Sequence, residues 1–461
     1  MEAFESDGIF WLPGDEGNQV AGRVSFDPVA GTLLHLIGSF SGDGFRLDES
    51  PTPEIVLGVA GKRYMTLTGC SVKTRKFESP GFATEIYRAR FLFAGHWLID
   101  SPDPTFERMS IKFNNLYDWV ERNAVSRELV FSNGRRNLVK ATLILEPAEV
   151  EKCQGDGYEI ALTGSWKIHG SEKNPGFEQD YSLRVSYDVP ADFETVTGDL
   201  RILQDLITAT SDAVSIPTDV TLYIPKEGAE DSQESREGVK LYGQQMPYPR
   251  AKEKKAHDMP LSLKGIGGLA AVAGWMGFMR DRRVLTGLLL SPIYGQMYVD
   301  NQFFNRVSAA ETLHRMEFSN ELRPADEYKN FRKMLVRYVP KNYRGWLSQQ
   351  IVYSNEPRLR DRLGELAEFA DIGSLIGCDA RRWARTITEA RNRMVHHDKG
   401  KGGGGSSAEL YWLGESLKIV VLASLAKFSD FAEGAQAHLR EAEDVVFMAG
   451  KVRQIIESQA T

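Results

Sequence analysis

The residues best suited to chemistry lie between 389 and 400, where the sequence reads EARNRMVHHDKG. Two arginines and an asparagine come shortly before the adjacent His396 and His397. Cleavage of RNA without a metal ion requires a planar cation that holds a phosphate, and a base whose pKa lies near neutrality. Arginine meets the first need and histidine the second. The stretch therefore contains the residue types of a metal-independent ribonuclease.

The sequence around this stretch predicts the helix that positions it. Asp379 is a good N-cap residue, and Gly400 lies where a helix would be expected to end. Trp383, Ile387 and Met394 can supply the side that faces a core. The glycine-rich run that follows predicts a flexible loop beside the polar residues.

A single helix does not aim Arg391 and His396 at one point, because five residues turn about 140° net at 3.6 residues per turn. Asn392 and His396 are i, i+4 neighbours, and Arg393 and His397 are another such pair. A two-fold pair of these helices would surround one cleft with both sets, which predicts a homodimer. A solvated helix end also favours cationic residues through the helix dipole, and that explanation is the commoner one for an arbitrary R-x4-H match.

Composition limits the class of protein. A chain of 461 residues predicts two or three domains, and its net charge of -7 argues against a protein coated with nucleic acid. Residues 321–400 nevertheless contain 16 Lys and Arg against 11 Asp and Glu, a local charge of +5 that suits RNA near the motif. No cofactor is indicated.

The cysteines predict a reducing cytoplasm, and the apolar stretches predict no membrane span. Three widely separated cysteines suggest neither a zinc site nor a disulfide framework, so no metal site is predicted. The acidic N-terminus lacks the pattern of a signal peptide. Residues 261–278 are the most apolar stretch, but they contain Lys264 and five glycines, so they predict one buried helix and no membrane span.

Hydrophobic periodicity divides the chain into three parts. Short alternating runs up to residue 225 predict antiparallel strands, and the charged residues 226–260 predict a polar linker or insertion. Helical periodicity follows over 261–461. The predicted fold class is α+β and multidomain, a β-rich N-terminal region followed by an all-α helical bundle. In the helix over 303–318 the residues expected on the apolar face are Phe304, Val307, Leu313 and Met316.

The sequence ARNRMVHHD, followed by a flexible loop and a long apolar helix, resembles the HEPN superfamily of helical-bundle ribonucleases and their R-x4-6-H signature. Arg391, Asn392 and His396 match at x4, and His397 matches at x5, so both histidines remain candidates. The chain further resembles the ApeA type of antiphage HEPN protein, and the segments that carry this similarity are residues 22–40, 88–98, 111–120 and 308–316.

The resemblance implies a metal-independent endoribonuclease with its HEPN domain at about 297–461, acting as a dimer. It implies that a β-rich sensor or regulatory region, residues 1–225, responds to a phage-derived trigger protein, and that the enzyme cuts RNA, with tRNA as the ApeA-type substrate, in abortive infection. Attack by the 2'-hydroxyl would leave a 2',3'-cyclic phosphate and a 5'-hydroxyl.

The implied catalytic residues are Arg391, Asn392 and His396, with His397 in reserve. His396 is expected to act as general base or acid, Arg391 to hold the phosphate, and Asn392 to orient the histidine or the ribose. Arg393 and Lys399 are expected to bind substrate.

Other interpretations of the sequence remain open. The helices could form a non-catalytic HEPN-type dimerisation or interaction module, joined to a β-rich domain that binds a ligand. Residues 265–270, GIGGLA, formally fit a dinucleotide-binding turn but lack the surrounding βαβ unit, so they predict a helix-packing surface. Glu311 and His314 are expected to form an exposed or hydrogen-bonded pair on one helix.

Overall fold

The alternating pattern of the N-terminal half forms strands and the periodic C-terminal half forms helices in the computed structural model, which confirms the predicted fold class. The structure describes residues 1–40, 52–77, 81, 83–98, 104–132, 137–225, 238–244, 253–396 and 406–459. The chain divides into two compact units, a first unit of Met1–Ile207 with Ala213–Ala256 and a second unit of Thr208–Asp212 with His257–Thr461.

The first unit is built from strands. Their bounds are β1 Phe4–Trp11, β2 Val20–Asp27, β3 Gly31–Ile37, β4 Ile55–Ala60, β5 Arg63–Thr68, β6 Ser71–Phe77, β7 Ala83–Ala89, β8 Phe91–Ala94, β9 Thr105–Phe113, β10 Val125–Ser132, β11 Asn137–Leu145, β12 Glu151–Gly155, β13 Tyr158–Ser171, β14 Asn174–Asp192, β15 Pro217–Tyr223 and β16 Gly238–Gly243. Within the described residues, β10 and β11 form a separate hairpin. The other strands form one sheet in the order β12-β13-β14-β9-β15-β16-β8-β5-β4-β1-β2-β3-β7-β6.

Neighbouring strands of this sheet run antiparallel throughout. Period-two alternation places one set of side chains inside, as in β2, where buried and exposed residues alternate along most of the strand. Phe10, Val24, Leu34, Val56 and Leu67 form part of the resulting core. This burial accounts for the strength of the alternating signal in the sequence.

Part of the predicted polar linker at 226–260 is a strand, β16. It pairs with β15 on one side and with β8 on the other, so it lies inside the sheet. Val239 and Leu241 are buried there. Its apolar alternation spans too few residues to stand out from the charged sequence around it. The division into domains at 1–225, 226–260 and 261–461 stays a prediction.

The helices have the following bounds: α1 Leu116–Val120, α2 Phe193–Ser211, α3 Leu263–Ile266, α4 Leu269–Met279, α5 Arg283–Tyr294, α6 Val299–Glu317, α7 Ala325–Tyr338, α8 Arg344–Gln350, α9 Leu359–Phe369, α10 Ile372–Ile376, α11 Ala380–His396, α12 Ser407–Phe428, α13 Ala435–Glu441 and α14 Glu443–Ser458. Helices α3 to α14 belong to the second unit, whose central member α12 is buried along nearly its whole length and packs on α6, α9 and α14.

The prediction of a single buried helix over 261–278 was wrong, because this stretch forms two helices, α3 and α4. Gly267 and Gly268 adopt φ values of 111° and 76°, which L side chains rarely adopt. Gly267 ends α3 in a left-handed conformation and Gly268 precedes α4. The GIGGLA sequence therefore lies at a junction between two helices.

The face predicted for helix α6 is also partly wrong. Val307 and Leu313 are buried as expected, but Phe304 and Met316 are each 44% exposed. Phe303 is fully buried in place of Phe304. A helix with apolar residues at both 303 and 304 permits either rotation, and the packing of α12 against α6 selects one of them.

A network of charges lies inside the second unit and links α6 to α12. Arg306 Nη1 and Lys418 Nζ each approach a different carboxylate oxygen of Glu415, both at 2.7 Å. Lys418 Nζ also lies 2.8 Å from Asp212 Oδ1. Burial raises the pKa of Glu415, but the charges and hydrogen bonds of Lys418 and Arg306 outweigh that effect and lower it to about 2. Each charge in the network thus has an opposite charge beside it.

We expect Glu415→Gln to destabilise the chain by about 3 to 5 kcal/mol at pH 7, because the substitution leaves Arg306 without its carboxylate and removes one of the two beside Lys418. The pKa of Glu415 is lower in the folded chain, so its contribution to stability is present above pH 4.5 and lost as pH falls toward 2. The difference between wild type and variant should therefore shrink on acidification. Thermal unfolding of the full chain, with hydrogen exchange in α6 and α12 as a local measurement, tests this.

The matched control is Glu327→Gln, which breaks an exposed i, i+4 pair with Arg323 and should cost below about 1 kcal/mol. Equal destabilisation by the two substitutions would show that the buried network does not stabilise the second unit.

Candidate active site

Helix α11 carries the Arg and His residues and begins where the sequence predicts. Asp379 Oδ1 accepts a hydrogen bond of 2.9 Å from the backbone N–H of Arg382, which is the contact of an N-cap residue. The described helix ends at His396, and the predicted stop at Gly400 lies outside the described residues. The cap fixes the start of the helix three turns or more before the polar residues.

The buried face of α11 fixes its rotation. Trp383, Ile387 and Ala390 have no exposed surface, and the helix packs against α9. The indole Nε1 of Trp383 donates a hydrogen bond of 3.0 Å to Ser416 Oγ on α12. This bond orients the tryptophan within the core, and Met394 is only partly buried at the other end of the predicted face. Because this face is buried, it determines on which side of α11 the polar residues near its end lie.

Arg391 and Asn392 lie at the polar end of α11. Arg391 is partly buried and Asn392 is exposed. The Nη1 atom of Arg391 lies 3.4 Å from Asn392 Oδ1, which is a long hydrogen bond. His396 is the last helical residue, and its side chain, with His397 and Lys399, lies outside the described part of the chain. The catalytic assignment of these residues stays a prediction.

Arg393 is held by a structural contact. Its Nη2 atom lies 2.7 Å from Glu409 Oε1, which also accepts a bond of 2.9 Å from Gln459 Nε2. Ser406 Oγ accepts from the backbone N–H of Glu409 and caps α12. The ion pair joins α11 to the start of α12. A phosphate bound by Arg393, as predicted, would share the guanidinium with Glu409.

A groove of about 600 Å³ runs between α9 and α11 on the side of the earlier turns. It is lined by Arg360, Asp361, Gly364, Glu365, Glu368, Arg381, Arg382 and Arg385. Arg385 is already paired with Glu389 at 2.7 Å. Carboxylates balance most of its arginines, so the groove presents little net positive charge to a polyanion.

A second polar cluster surrounds His314 inside the second unit. His314 is fully buried, and its Nε2 lies 2.7 Å from Glu365 Oε2. Arg362, which is 1% exposed, places Nη1 at 3.1 Å from His314 Nδ1. Arginine can only donate, so Nδ1 accepts and Nε2 carries the proton that it donates to Glu365. The cluster joins α6 to α9.

This cluster corrects the pair predicted between Glu311 and His314. Glu311 instead pairs with Arg315 at 3.1 Å, and His314 bonds to residues of α9. His314 stands seven residues after the buried Val307, so helical periodicity alone places it on the inner face. Its partner Arg362 could not be found from sequence, because a buried arginine has no periodic signal of its own.

Two further kinds of feature are absent from the described residues. No helix there has the length and apolar character of a membrane span. No group of three or more His, Cys, Asp or Glu in the same residues could hold a metal ion.

Comparison with known families yields two matches. A family model described as ApeA N-terminal domain 1 matches residues 5–272, which is more than half of the chain. A second model, described as Apea-like HEPN, matches residues 304–435 and so includes α11 and its motif. No curated protein and no solved structure matches the chain.

We expect the buried His314 to make stability depend on pH near neutrality. Burial lowers its pKa below the usual value, although the hydrogen bond to Glu365 opposes this. The unfolded chain therefore binds a proton more readily, and stability present above pH 6.5 is lost as pH falls through it, by at most about 1.4 kcal/mol per pH unit. Chemical unfolding of the full chain at pH 7.5 and 5.5 should show a smaller loss for His314→Gln than for wild type.

The exposed His438 on α13 provides the matched substitution His438→Gln. That variant should keep the wild-type dependence on pH. A wild-type dependence that persists in His314→Gln would contradict the assignment.

Proposed function

The chain belongs to the ApeA family of defence-associated HEPN nucleases, and from this premise we propose that it is a metal-independent endoribonuclease acting in abortive infection. The proposed substrate is RNA, specifically tRNA. The proposed products are a 2',3'-cyclic phosphate end and a 5'-hydroxyl end. A cytoplasmic site of action and a dimer formed through the HEPN domain are parts of the same proposal.

One observation supports this function most directly: Arg391 and Asn392 lie together on the polar end of a helix whose other face is locked into the core. Exposed Asn392 and partly buried Arg391 are accessible to a ligand, while Trp383 and Ser416 hold the helix in place. A site built on a rigid helix keeps its groups within the small tolerances that catalysis requires. A mobile helix end would not do so.

The proposed chemistry divides between a cation and a proton carrier. A histidine, His396 or His397, removes the proton of the 2'-hydroxyl, whose oxygen forms a bond to the adjacent phosphorus. The bond from phosphorus to the 5'-oxygen breaks, and that oxygen takes up a proton from an imidazolium. Arg391 stabilises the negative charge that develops on the non-bridging oxygens. Asn392 orients the histidine or the ribose.

The helix geometry supports the proposed dimer. Arg391 and His396 stand about 140° apart around α11, so a second helix is needed to bring an arginine and a histidine to one phosphate. We propose that each site takes Arg391 from one protomer and His396 from the other. Arg393 and Lys399 would add charge around the bound strand.

The β-rich first unit has a regulatory role in this proposal. Since an RNase that is always active would kill its host, the enzyme must be restrained until infection. We propose that the region of residues 1–225 responds to a phage-derived trigger protein. Misalignment of the paired motifs at rest would keep activity low, since a small change in their spacing suffices to separate the reacting groups.

We expect Arg391→Ala and His396→Ala each to reduce RNA cleavage by about 100-fold or more, because one removes the stabilising charge and the other the proton carrier. The assay is cleavage of end-labelled total tRNA in the presence of EDTA, with chains isolated from infected cells. Wild type should produce cyclic phosphate ends.

The matched control is Arg385→Ala, an arginine on the same helix that is exposed and paired with Glu389. It should leave cleavage near the wild-type rate. If all three variants cut equally, the motif is not the active site. If the wild-type chain cuts nothing during infection, the chain is better explained as a non-catalytic interaction module.

The shared site makes a second prediction. A mixture of Arg391→Ala and His396→Ala chains should regain about a quarter of wild-type activity. Random pairing makes half of the dimers mixed, and each mixed dimer has one intact site of its two. The readout is cleavage after co-expression, with each variant expressed alone as the control. No recovery in verified mixed dimers would show that each site lies within one chain.

A further inference from the structure

Residues 322–355 form a helical arm, which we call the basic arm, whose two ends meet. The backbone N–H of Leu322 donates to Asn355 O at 2.8 Å. The side chain of Asn355 accepts from Arg323 N at 3.0 Å and donates to Arg323 O at 2.8 Å. Between these ends lie α7, a short 3-10 helix and α8. The ends are clamped, so the arm has a defined start and finish.

The basic arm is held together mainly by its own contacts. Arg332 Nη2 donates to the carbonyl of Ser348 at 2.7 Å and to its hydroxyl at 2.9 Å, which fastens α7 to α8. The Tyr328 hydroxyl donates to Ile351 O. Arg344 binds the carbonyls of Arg337 and Val339 at the turn. No residue of α7 is buried, so this helix contributes no side chain to the core.

The charge of the basic arm is entirely positive over its central part. Residues 328–353 contain six Lys and Arg and no Asp or Glu. Lys329, Lys333 and Arg337 are exposed and follow one another at i, i+4 spacing along α7. Like charges at this spacing repel one another and destabilise a helix. A bound polyanion would remove that repulsion.

These three cations have no partner within the described part of the chain. None of them makes a side-chain hydrogen bond or an ion pair there, whereas Arg332 and Arg344 bind the arm's own backbone. The stripe formed by these cations covers nine residues, or about 12 Å of helix. It is therefore long enough to contact several phosphates of one strand.

Exposed aromatic rings accompany this stripe. Tyr338 is 83% exposed, Tyr353 75%, Trp346 61% and Tyr343 56%. Large rings are usually at least half covered in folded chains, because their burial is strongly favourable. Rings interleaved with cations are the pattern by which proteins bind single-stranded nucleic acid, since every base has a face that can stack.

We propose that the basic arm is an RNA-docking element that holds unpaired nucleotides by phosphate contacts and base stacking. The inference rests on the proposed ribonuclease function and adds a substrate contact outside the motif on α11. Charge complementarity favours RNA here over the groove between α9 and α11, whose arginines are balanced by carboxylates. The exposed rings favour RNA over an acidic protein, because every base of an RNA strand has a face that can stack on a ring.

The test measures binding in a chain that cannot cut. Full-length protein carrying His396→Ala and His397→Ala is titrated into fluorescently labelled total tRNA at several salt concentrations. We expect neutralising Lys329, Lys333 and Arg337 to Gln to weaken binding by about tenfold or more. The salt dependence, log K against log salt, should become shallower by about 2, or 0.7 for each lost contact.

The aromatic part is tested separately. Tyr338→Ala with Trp346→Ala should weaken binding by about fivefold or more without changing the salt dependence, because stacking releases no counterions. The matched control neutralises three exposed lysines of the first unit, Lys140, Lys167 and Lys173, to Gln. This control changes the net charge equally and should bind tRNA as the parent does.

The outcomes separate this inference from the proposed function. Unchanged tRNA binding by the arm variants overturns the docking element, even if cleavage depends on Arg391 and His396. Arm-dependent binding, together with a wild-type chain that cuts no RNA during infection, supports the docking element and overturns the nuclease. Equal loss in the lysine control would show a non-specific charge effect. Binding of the arm to anionic phospholipid vesicles or to polyglutamate, but not to tRNA, would also overturn it.

Discussion

The buried charges on helix α12 are the constraint on which the second unit depends. Glu415 and Lys418 lie on a helix that is covered on nearly all sides, and neither charge could stay there without a partner. Arg306 on α6 and Asp212 supply those partners. Apolar packing alone tolerates small rotations and shifts, but a charge pair at 2.7 Å does not. The network therefore fixes how α6 meets α12, and α12 in turn carries Ser416, which orients α11.

A fixed helix orientation also explains why the polar end of α11 can serve as a site. Its inner face gives the helix one rotation, and its outer face is left with residues that the core does not use. Arg393 is the exception. Its ion pair with Glu409 joins α11 to α12 at the point where the buried apolar face ends. The motif thus mixes residues that hold the helix with residues that are accessible to a ligand. The two sets cannot be distinguished by residue type, only by their partners.

The sequence was sufficient for the β-rich N-terminal half, the helical C-terminal half and the N-cap at Asp379, because these depend on local periodicity and local hydrogen bonds. Prediction from sequence was wrong where a contact with a distant part of the chain determines the structure. The rotation of α6, which buries Phe303 in place of Phe304, depends on α12. Strand β16 exists because β15 and β8 offer edges on both sides. The contact between His314 and Arg362 joins residues 48 positions apart. The candidate active site was predicted from the spacing of three residues and from the family resemblance, because its residues lie on one helix.

In the proposed enzyme, one arginine and one histidine per chain act on the phosphodiester, but they do not distinguish one RNA from another. Groups that act on the reacting phosphate meet the same chemistry at every nucleotide, so they confer little preference among strands. Selectivity and affinity must then come from contacts with parts of the substrate that do not react. A self-supporting arm with unpaired cations and exposed rings offers such contacts without altering the core that orients α11. Separating docking from chemistry in this way would let the proposed enzyme hold its RNA while the paired motifs are misaligned, so that restraint and substrate binding need not compete.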